Sequence, residues 1–368
     1  MVYTRVSWLI VAGGLALQVS GQNAPRTPPI PSDPLETVIG PVRVVKARAP
    51  RAAALQLLDR ARSSYGVRSA GRGYDLKVTF TVNSGGQTEY DGAWEMEDMF
   101  DPQLGLRWTA RSSGSSGSYA ITRISSLGML YGDDTASYVP LRLQEVRAAL
   151  FDPIPSSGNV KNALVRTSTA TFTGAQLTCV LLSSAGKSGT AAPGRRWDET
   201  EECIDPQSGL LRVHSQIPGR YYAYDYANAP QLDGHVLPRR VTVTEAGKIV
   251  TEISVDSLTE LPAADPSLFV PSDEMKAKGR AIALVGSQKF RRVLESGFSG
   301  RGATVQPVCV FGVVTPTGEL AEAHSLQPWD PNSQTAVEAA RQMTFPLVPS
   351  SPIPQQHFVF VIVEFVSP

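Results

Sequence analysis

The spacing of apolar residues along the chain changes from helical to strand-like and back. In residues 51–65 apolar side chains recur every three or four positions, which predicts an amphipathic helix that ends near Gly66. From residue 74 to about residue 270, apolar and polar positions alternate in short segments separated by Gly, Ser, Asn or Asp, as in antiparallel strands. Residues 141–151 interrupt this alternation with helical spacing. The pattern predicts an α+β fold over residues 51–272, in which one curved antiparallel sheet is covered by helices.

The last part of the chain, residues 290–368, has a shorter order of elements. A strand-like segment, the turn Thr315–Gly318 and a return strand precede a helix that Asp330 and Pro331 open. The final strand, His357–Phe365, is apolar on both faces. This order predicts a small second domain with the arrangement ββαβ.

The N-terminal residues have the composition of an export signal. Arg5, a short apolar stretch and small residues before Gln22 predict that residues 1–21 are a signal peptide. The alternative is an uncleaved membrane anchor. Residues 22–50 are rich in proline and predict a linker, as do the polar residues 273–289. We therefore expect a periplasmic or secreted protein, with association to the membrane as the alternative.

Charge and motif content exclude several classes of function. Lys plus Arg and Asp plus Glu both total 34, so the chain lacks the basic excess of a nucleic-acid-binding protein. The four histidines are far apart and have no zinc-type spacing, so no metal and no cofactor are expected. "AGKSGT" lacks the first glycine of a phosphate loop, and "GSSGS" and "SGFSG" do not complete a hydrolase motif. The acidic run 198–202 predicts a solvated loop. These features predict a protein that is not an enzyme.

The three cysteines predict one disulfide. Disulfides persist in the oxidising compartment that an exported chain enters. Cys179 and Cys203 lie in strand-like segments joined by a polar, Gly-rich loop, and a bridge between them would stabilise the fold by about 3 kcal/mol. Cys309 alternates with apolar residues and is predicted to be a buried free thiol.

Residues 235–271, "HVLPRRVTVTEAGKIVTEISVDSLTELPAADPSLFVP", resemble the closing strands of the outer-membrane lipoprotein carrier (LolA-like) family. In that family an "LP" pair opens a hairpin, and an Asp and a Phe precede the Pro that ends the domain, here Asp265, Phe269 and Pro271. The resemblance covers roughly residues 50–272. It implies an unclosed β-barrel whose concave side, filled by helices, holds acyl chains.

Three tyrosines share one face of the segment "RYYAYDY". Tyr222, Tyr224 and Tyr226 are candidates for the lining of an apolar cavity, with their phenol groups at its mouth. The alternative is that they pack across strands within the core.

The order strand, turn, strand, helix, strand is similar to the C-terminal domain of TonB, the energy transducer of Gram-negative envelopes. The matching residues are Gly318, Leu320, Asp330, Ala336, Glu338, Ala339, Phe345, Pro346 and Phe365. Met343-Thr344 replaces the usual basic-aromatic pair. The resemblance implies that an extended peptide adds to a free sheet edge as a further strand. The candidate residues on the final strand are Phe358, Phe360, Val361, Ile362 and Val363. The alternative is that this strand is only part of the core.

Together these features predict a non-catalytic binding protein of the periplasm or cell envelope. Its C-terminal domain would pair with an envelope protein or an extended peptide. One alternative is a carrier of lipid or lipoprotein acyl chains in the first domain. Another is a TonB-type energy transducer, which requires residues 1–21 to remain as an anchor. The sequence does not indicate an oligomeric state.

Overall fold

The structure is a computed structural model. It describes residues 37–38, 43–44, 48–85, 91–114, 117–126, 128–134, 140–156, 158–183, 195–261, 263–278, 288–295, 307–346 and 356–366. The predicted signal peptide, residues 1–21, lies outside these residues. In the part of the chain that is described, no helix is long and apolar enough to cross a bilayer.

The described residues form strands, four α-helices and two short 3₁₀ turns. The helices are α1 (Arg48–Ser64), α2 (Leu141–Phe151), α3 (Asp273–Lys278) and α4 (Ser333–Arg341). The strands are β1 (Thr37–Val38), β2 (Arg43–Val44), β3 (Tyr74–Val82), β4 (Gly92–Asp101), β5 (Gly105–Gly114), β6 (Gly117–Ser126), β7 (Met129–Asp134), β8 (Leu164–Phe172), β9 (Ala175–Ser183), β10 (Thr200–Ile204), β11 (Leu211–Ile217), β12 (Arg220–Asp225), β13 (Gln231–Leu232), β14 (His235–Val236), β15 (Arg240–Glu245), β16 (Lys248–Glu260), β17 (Gln288–Glu295), β18 (Val308–Val314), β19 (Leu320–Ser325) and β20 (His357–Val366).

One large antiparallel sheet forms the first domain. Its order is β1-β8-β9-β10-β11-β12-β15-β16-β3-β4-β5-β6-β7, and β2 also pairs with β8. The predicted turn in "TEAGK" joins β15 to β16, with Ala246 and Gly247 at positive φ. Of the two strands that flank α2 in the chain, β7 ends this order on one side and β8 lies next to β1 on the other side, so β7 and β8 do not pair with each other. The predicted unclosed antiparallel sheet with few helices is therefore confirmed.

Helices α1 and α2 cover the same face of the large sheet. The buried residues of α1 are Ala54, Leu57, Leu58 and Ala61, which lie on one side of the helix as the sequence predicts. In α2, by contrast, eight of eleven residues are buried. Both helices and strands from both halves of the sheet share one apolar core. The sheet thus wraps around α2.

The C-terminal sheet has the order β17-β20-β18-β19, and α4 lies between β19 and β20 in the chain as predicted. One face of this sheet packs on Ala336 and Ala340 of α4. The other face packs on the first domain through Phe311 and Phe360. The final strand is apolar on both faces because both faces are covered.

The acidic run 198–202 is not a solvated loop, and that prediction is wrong. Its second half belongs to β10, where Glu202 is buried, and Glu199, just before this strand, is buried as well. The Glu199 carboxylate lies 2.9 Å from Arg166, and that of Glu202 lies 3.0 Å from the imidazole of His214. These basic partners come from β8 and β11, which the local sequence does not reveal.

Candidate functional site: helix α2 in the trough of the large sheet

Helix α2 fills the concave face of the large sheet, which we name the trough. Large apolar side chains line it, namely Phe80, Trp94, Trp108, Tyr119, Tyr222 and Tyr224. Leu143, Val146 and Leu150 of α2 belong to the same packed core and are fully buried. A core helix surrounded by sheet would ordinarily be apolar all round, yet α2 also carries three charged residues, Arg142, Glu145 and Arg147.

The first charged group, the N-terminal charge cluster, consists of Arg142, Glu145, Arg220, Glu245 and Glu322. Arg142 Nη1 donates to Glu245 Oε1 over 2.7 Å, and Arg142 Nη2 donates to Glu322 Oε2 over 3.2 Å. Arg220 Nε donates to Glu245 Oε1 over 2.8 Å. Arg220 and the Tyr222 hydroxyl both donate to Glu145 on α2. All five side chains are at most 5% exposed. Two guanidinium groups thus bind three carboxylates that are shielded from water.

The cluster sets the charge of its carboxyl groups. Burial would raise the pKa of Glu245, but Arg142 and Arg220 outweigh burial and hold this pKa well below its ordinary value. The pKa of Glu145 is lowered for the same reason, by Arg220 and Arg142 against burial. The pKa of Glu322 is raised, because burial exceeds the attraction of Arg142. His324 Nε2 lies 3.0 Å from Glu245 Oε2 and adds a titratable group to the edge of the cluster.

A second charged group holds the other end of α2. Arg147 Nη2 donates to Asp98 Oδ2 on β4 over 2.7 Å, and the Tyr74 hydroxyl donates to Asp98 Oδ1 over 2.8 Å. The Arg147 guanidinium lies over the Trp108 ring, 4.3 Å from its centroid. Burial lowers the pKa of Arg147, and Asp98 offsets only part of this effect. Helix α2 is therefore fixed near its N-terminus and again at Arg147 by ion pairs to different strands.

The three candidate tyrosines lie in the core rather than at the mouth of an open cavity. Tyr222 and Tyr224 are buried, and Tyr226 packs against the same core. The Tyr65 ring at the end of α1 meets the rings of Tyr224 and Tyr226 edge to face. The Tyr226 hydroxyl donates to the Leu211 carbonyl over 2.9 Å. The Tyr224 hydroxyl has no hydrogen-bond partner among the described residues.

The final strand is paired on both edges from Val359 to Val363. In β20, Val361 pairs with Phe290 of the parallel strand β17 and with Val310 of the antiparallel strand β18. Phe360, Ile362 and Val363 also pair with both β17 and β18. Phe358 pairs with Val313 of β18. Residues 288–295, which give no clear pattern, form the strand that occupies the outer edge. The prediction of strand addition is therefore wrong for Phe360, Val361, Ile362 and Val363, because both edges are occupied there. For Phe358, which is paired on the β18 side, it stays a prediction. The TonB resemblance and the transducer alternative stay predictions.

The predicted disulfide is confirmed. Cys179 and Cys203 are cross-strand partners on β9 and β10 and are bonded to each other. Cys309 is a buried free thiol, also as predicted. The burial of charges around α2 was missed, because the partners of its charged residues on the sheets lie between 49 and 180 positions away in the chain. The only local signal was the pair Arg142 and Glu145, three positions apart on a predicted helix.

No family model matches the chain, and no curated protein matches it. Among solved structures, the chain is similar to a DUF1329 family protein from Desulfovibrio piger at 11% identity and a TM-score of 0.37, over 60% of this chain and 97% of that one. It is similar to a LolA superfamily protein from Nitrosomonas europaea at 11% identity and a TM-score of 0.35, over 59% and 97% of the two chains. It is also similar to LprF from Mycobacterium bovis at 11% identity and a TM-score of 0.24, over 58% and 97%. Because all three TM-scores are below 0.5, these similarities support no statement about function.

Proposed function

We propose that the first domain is a carrier that holds an apolar chain, such as the acyl chain of a lipid or lipoprotein, in the trough that α2 now fills. Helix α2 is then an internal plug, which leaves when the chain enters. The observation that carries this proposal is the position of α2 in the core of an unclosed sheet, where the strands that precede and follow it in the chain, β7 and β8, do not pair with each other. Because these strands do not pair with each other, α2 can leave the trough without breaking a strand pair.

The lining of the trough suits an apolar ligand. Removing α2 would expose the aromatic side chains of Trp94, Trp108 and Tyr119, which are at most 5% exposed in the closed state. An acyl chain that covers them again recovers about 25 cal/mol for each Å² of apolar surface. The eleven residues of α2 span about 16 Å at 1.5 Å per residue, a length that suits an extended acyl chain. The Tyr224 hydroxyl would supply one polar group to the ligand.

The way in which α2 is held also supports a plug that moves. A buried ion pair is often no better for stability than apolar residues of the same volume, because both charges must lose their hydration. Arg142, Glu145 and Arg147 thus fix α2 in one position at little net gain in stability. Water must reach the charged partners that α2 leaves behind, Glu245, Arg220 and Asp98, when the helix departs.

The compartment of this carrier is part of the proposal. The predicted signal peptide, residues 1–21, and the Cys179–Cys203 disulfide both support the bacterial envelope, where disulfides persist. A carrier there would move acyl chains through an aqueous space. No reaction is required of it.

Quenching of tryptophan fluorescence by a dibrominated fatty acid tests the proposal. A brominated chain in the trough lies against Trp94 and Trp108, so we expect saturable quenching that unlabelled palmitate reverses. Among unlabelled competitors the affinity should rise by up to about 0.8 kcal/mol for each added methylene until the trough is full.

The double variant W94F/W108F should lose most of the quenching. The control W329F, in the C-terminal domain, should keep it. Non-saturable quenching, or quenching that persists in W94F/W108F, would reject the trough as the binding site.

A further inference from the structure

The first turn of α2 is completed by the C-terminal domain. The residue before the helix is Pro140, which makes no side-chain cap. Instead Gln356, just before β20, accepts a hydrogen bond from the Leu141 backbone N–H at its Oε1 over 3.1 Å. The Gln356 carbonyl also accepts from Gln144 Nε2 over 3.2 Å. Since the N–H groups of a first turn have no partner within the helix, this contact caps α2 from outside its own domain.

The ion pairs of α2 also cross the domain boundary. Arg142 lies between Glu245 of the first domain and Glu322 of the C-terminal sheet. Without Arg142, these two carboxylates would face each other in a buried position with fewer positive charges nearby. Like charges in such a position repel each other strongly. Arg142 therefore stabilises the contact between the domains only while α2 occupies the trough.

An apolar contact joins the same elements. Leu141 at the start of α2 packs with Ile217 and with Phe311, Phe358 and Phe360 of the C-terminal sheet. The Arg142 and Arg220 guanidinium groups lie 5.1 and 5.0 Å from the centroid of the Phe311 ring. Departure of α2 removes Leu141, Arg142 and Gln144 from this interface at once.

We propose that loading of the trough and docking of the C-terminal domain are mutually exclusive, with α2 as the element that couples them. This inference rests on the proposed function, because it takes the plug to be what the ligand displaces. A loaded protein releases its C-terminal domain and uncovers the sheet face that carries Phe311 and Phe360. An empty protein keeps that face covered. Coupling of this kind is reciprocal, so release of the C-terminal domain also favours entry of the ligand.

Cys309 reports on docking in the unmodified chain. It is the single free cysteine, since the chain has three and the other two form a disulfide. It is fully buried in the interface beside Leu141 and Ile217. We expect saturating dibrominated stearate to raise its rate of reaction with Ellman's reagent by about tenfold, a typical size for coupling between sites. Quenching of Trp94 and Trp108 in the same sample shows whether the trough is loaded. Loading with an unchanged rate at Cys309 would overturn the coupling and leave the carrier function intact.

A second experiment tests the coupling without a ligand. Leu326 packs in the interface, whereas Leu320 packs on the α4 side of the same small sheet. The variant L326A should increase both the reactivity of Cys309 and the amide hydrogen exchange of residues 141–151, and the matched variant L320A should change neither by as much. If L326A exposes Cys309 while exchange in α2 stays at the wild-type rate, the coupling is wrong whether or not the trough binds a chain. If exchange does increase but no fatty acid ever quenches Trp94 and Trp108, the coupling stands and the carrier function fails.

Discussion

Arg142 on α2 and Glu322 on β19 form a buried ion pair, with 3.2 Å between Nη2 and Oε2, across the boundary of the two sheets. The residues are 180 positions apart in the chain. The same guanidinium also binds Glu245 of the large sheet. One side chain of the plug therefore holds a strand of each sheet. The stability of the plug and that of the domain contact depend on each other.

Replacement of Arg142 by Met should destabilise the protein strongly. The variant keeps most of the volume but leaves Glu245 and Glu322 buried with one guanidinium fewer. Removing one partner of a buried pair typically costs about 3–5 kcal/mol. Urea unfolding measures the loss. The control is R111M at the exposed Arg111–Glu95 pair, whose side chains are 76% and 61% exposed, and it should cost at most about 1 kcal/mol. Equal losses in the two variants would show that the buried pair contributes no more than a surface pair.

The pH dependence of stability should change direction near pH 4.5. Glu145 and Glu245 have folded-state pKa values below the ordinary 4.5, so they contribute stability that is present above pH 4.5 and is lost as the pH falls through their folded-state values. Glu322 has a raised pKa, so its contribution is present below pH 4.5 and is lost as the pH rises through its folded-state value. Stability should therefore rise from low pH towards 4.5 and then decline slightly.

Variants separate these two effects. In E322Q the decline above pH 4.5 should become smaller while the loss in acid remains, because Glu202, whose pKa is also raised by burial, still contributes to the decline. In E245Q the loss in acid should become smaller, on top of an overall destabilisation. Urea midpoints from pH 3 to pH 8 give both profiles. An E322Q profile parallel to that of the wild type would show that Glu322 titrates as an exposed carboxyl group does.

The close approach of the two domains at Gly219 gives a further prediction. Gly219 has a φ of +89°, and a Cβ there would lie 2.9 Å from both the Cβ and the carbonyl oxygen of Leu326. Gly209, in the preceding hairpin, has a φ of +74° but no atom within 4 Å of such a Cβ. Both G219A and G209A carry the backbone strain of a side chain at positive φ. Only G219A should also weaken the contact between the domains.

The reactivity of Cys309 measures this difference. Ellman's reagent should label Cys309 faster in G219A than in G209A, while G209A should stay near the wild type. Similar labelling in both variants would show that the strain at positive φ, rather than the clash with Leu326, determines the effect.

The sequence predicts those features whose cause is local. The helical spacing in residues 51–65 and the ββαβ order of the last domain follow from side chains within a few positions of one another. The Cys179–Cys203 disulfide was also predictable, because both cysteines lie in strand-like segments of an exported chain.

Features that depend on distant partners were not predictable. One edge of β20 is occupied by β17, whose parallel pairing is set by the fold of the whole domain. In the same way, "LRLQEVRAALF" indicates a helix with one apolar face, but nothing near it shows that the opposite face is also buried. The charged residues of the helix can be buried because Arg220, Glu245, Glu322 and Asp98, from four different strands, supply the opposite charges.

Asp98 offers a test of the plug from its other end. It binds Arg147 of α2 and is fully buried, whereas the neighbouring Glu97 points to the opposite side of β4, where it pairs with Lys77 and Arg107 at 3.9 and 3.5 Å. The variant D98N leaves the buried Arg147 without a counter-ion, so α2 should open more often. The matched variant E97Q removes a carboxylate from the same strand without touching α2.

Hydrogen exchange of residues 141–151 measures this opening. We expect exchange in D98N to be about tenfold faster than in E97Q, which corresponds to about 1.4 kcal/mol. The dissociation constant of a dibrominated fatty acid should fall in D98N as well, because less free energy is then spent on displacing α2. If exchange is faster but the affinity is unchanged, displacement of α2 is not the step that admits the ligand. If neither changes, Arg147 and Asp98 do not hold the plug in the trough.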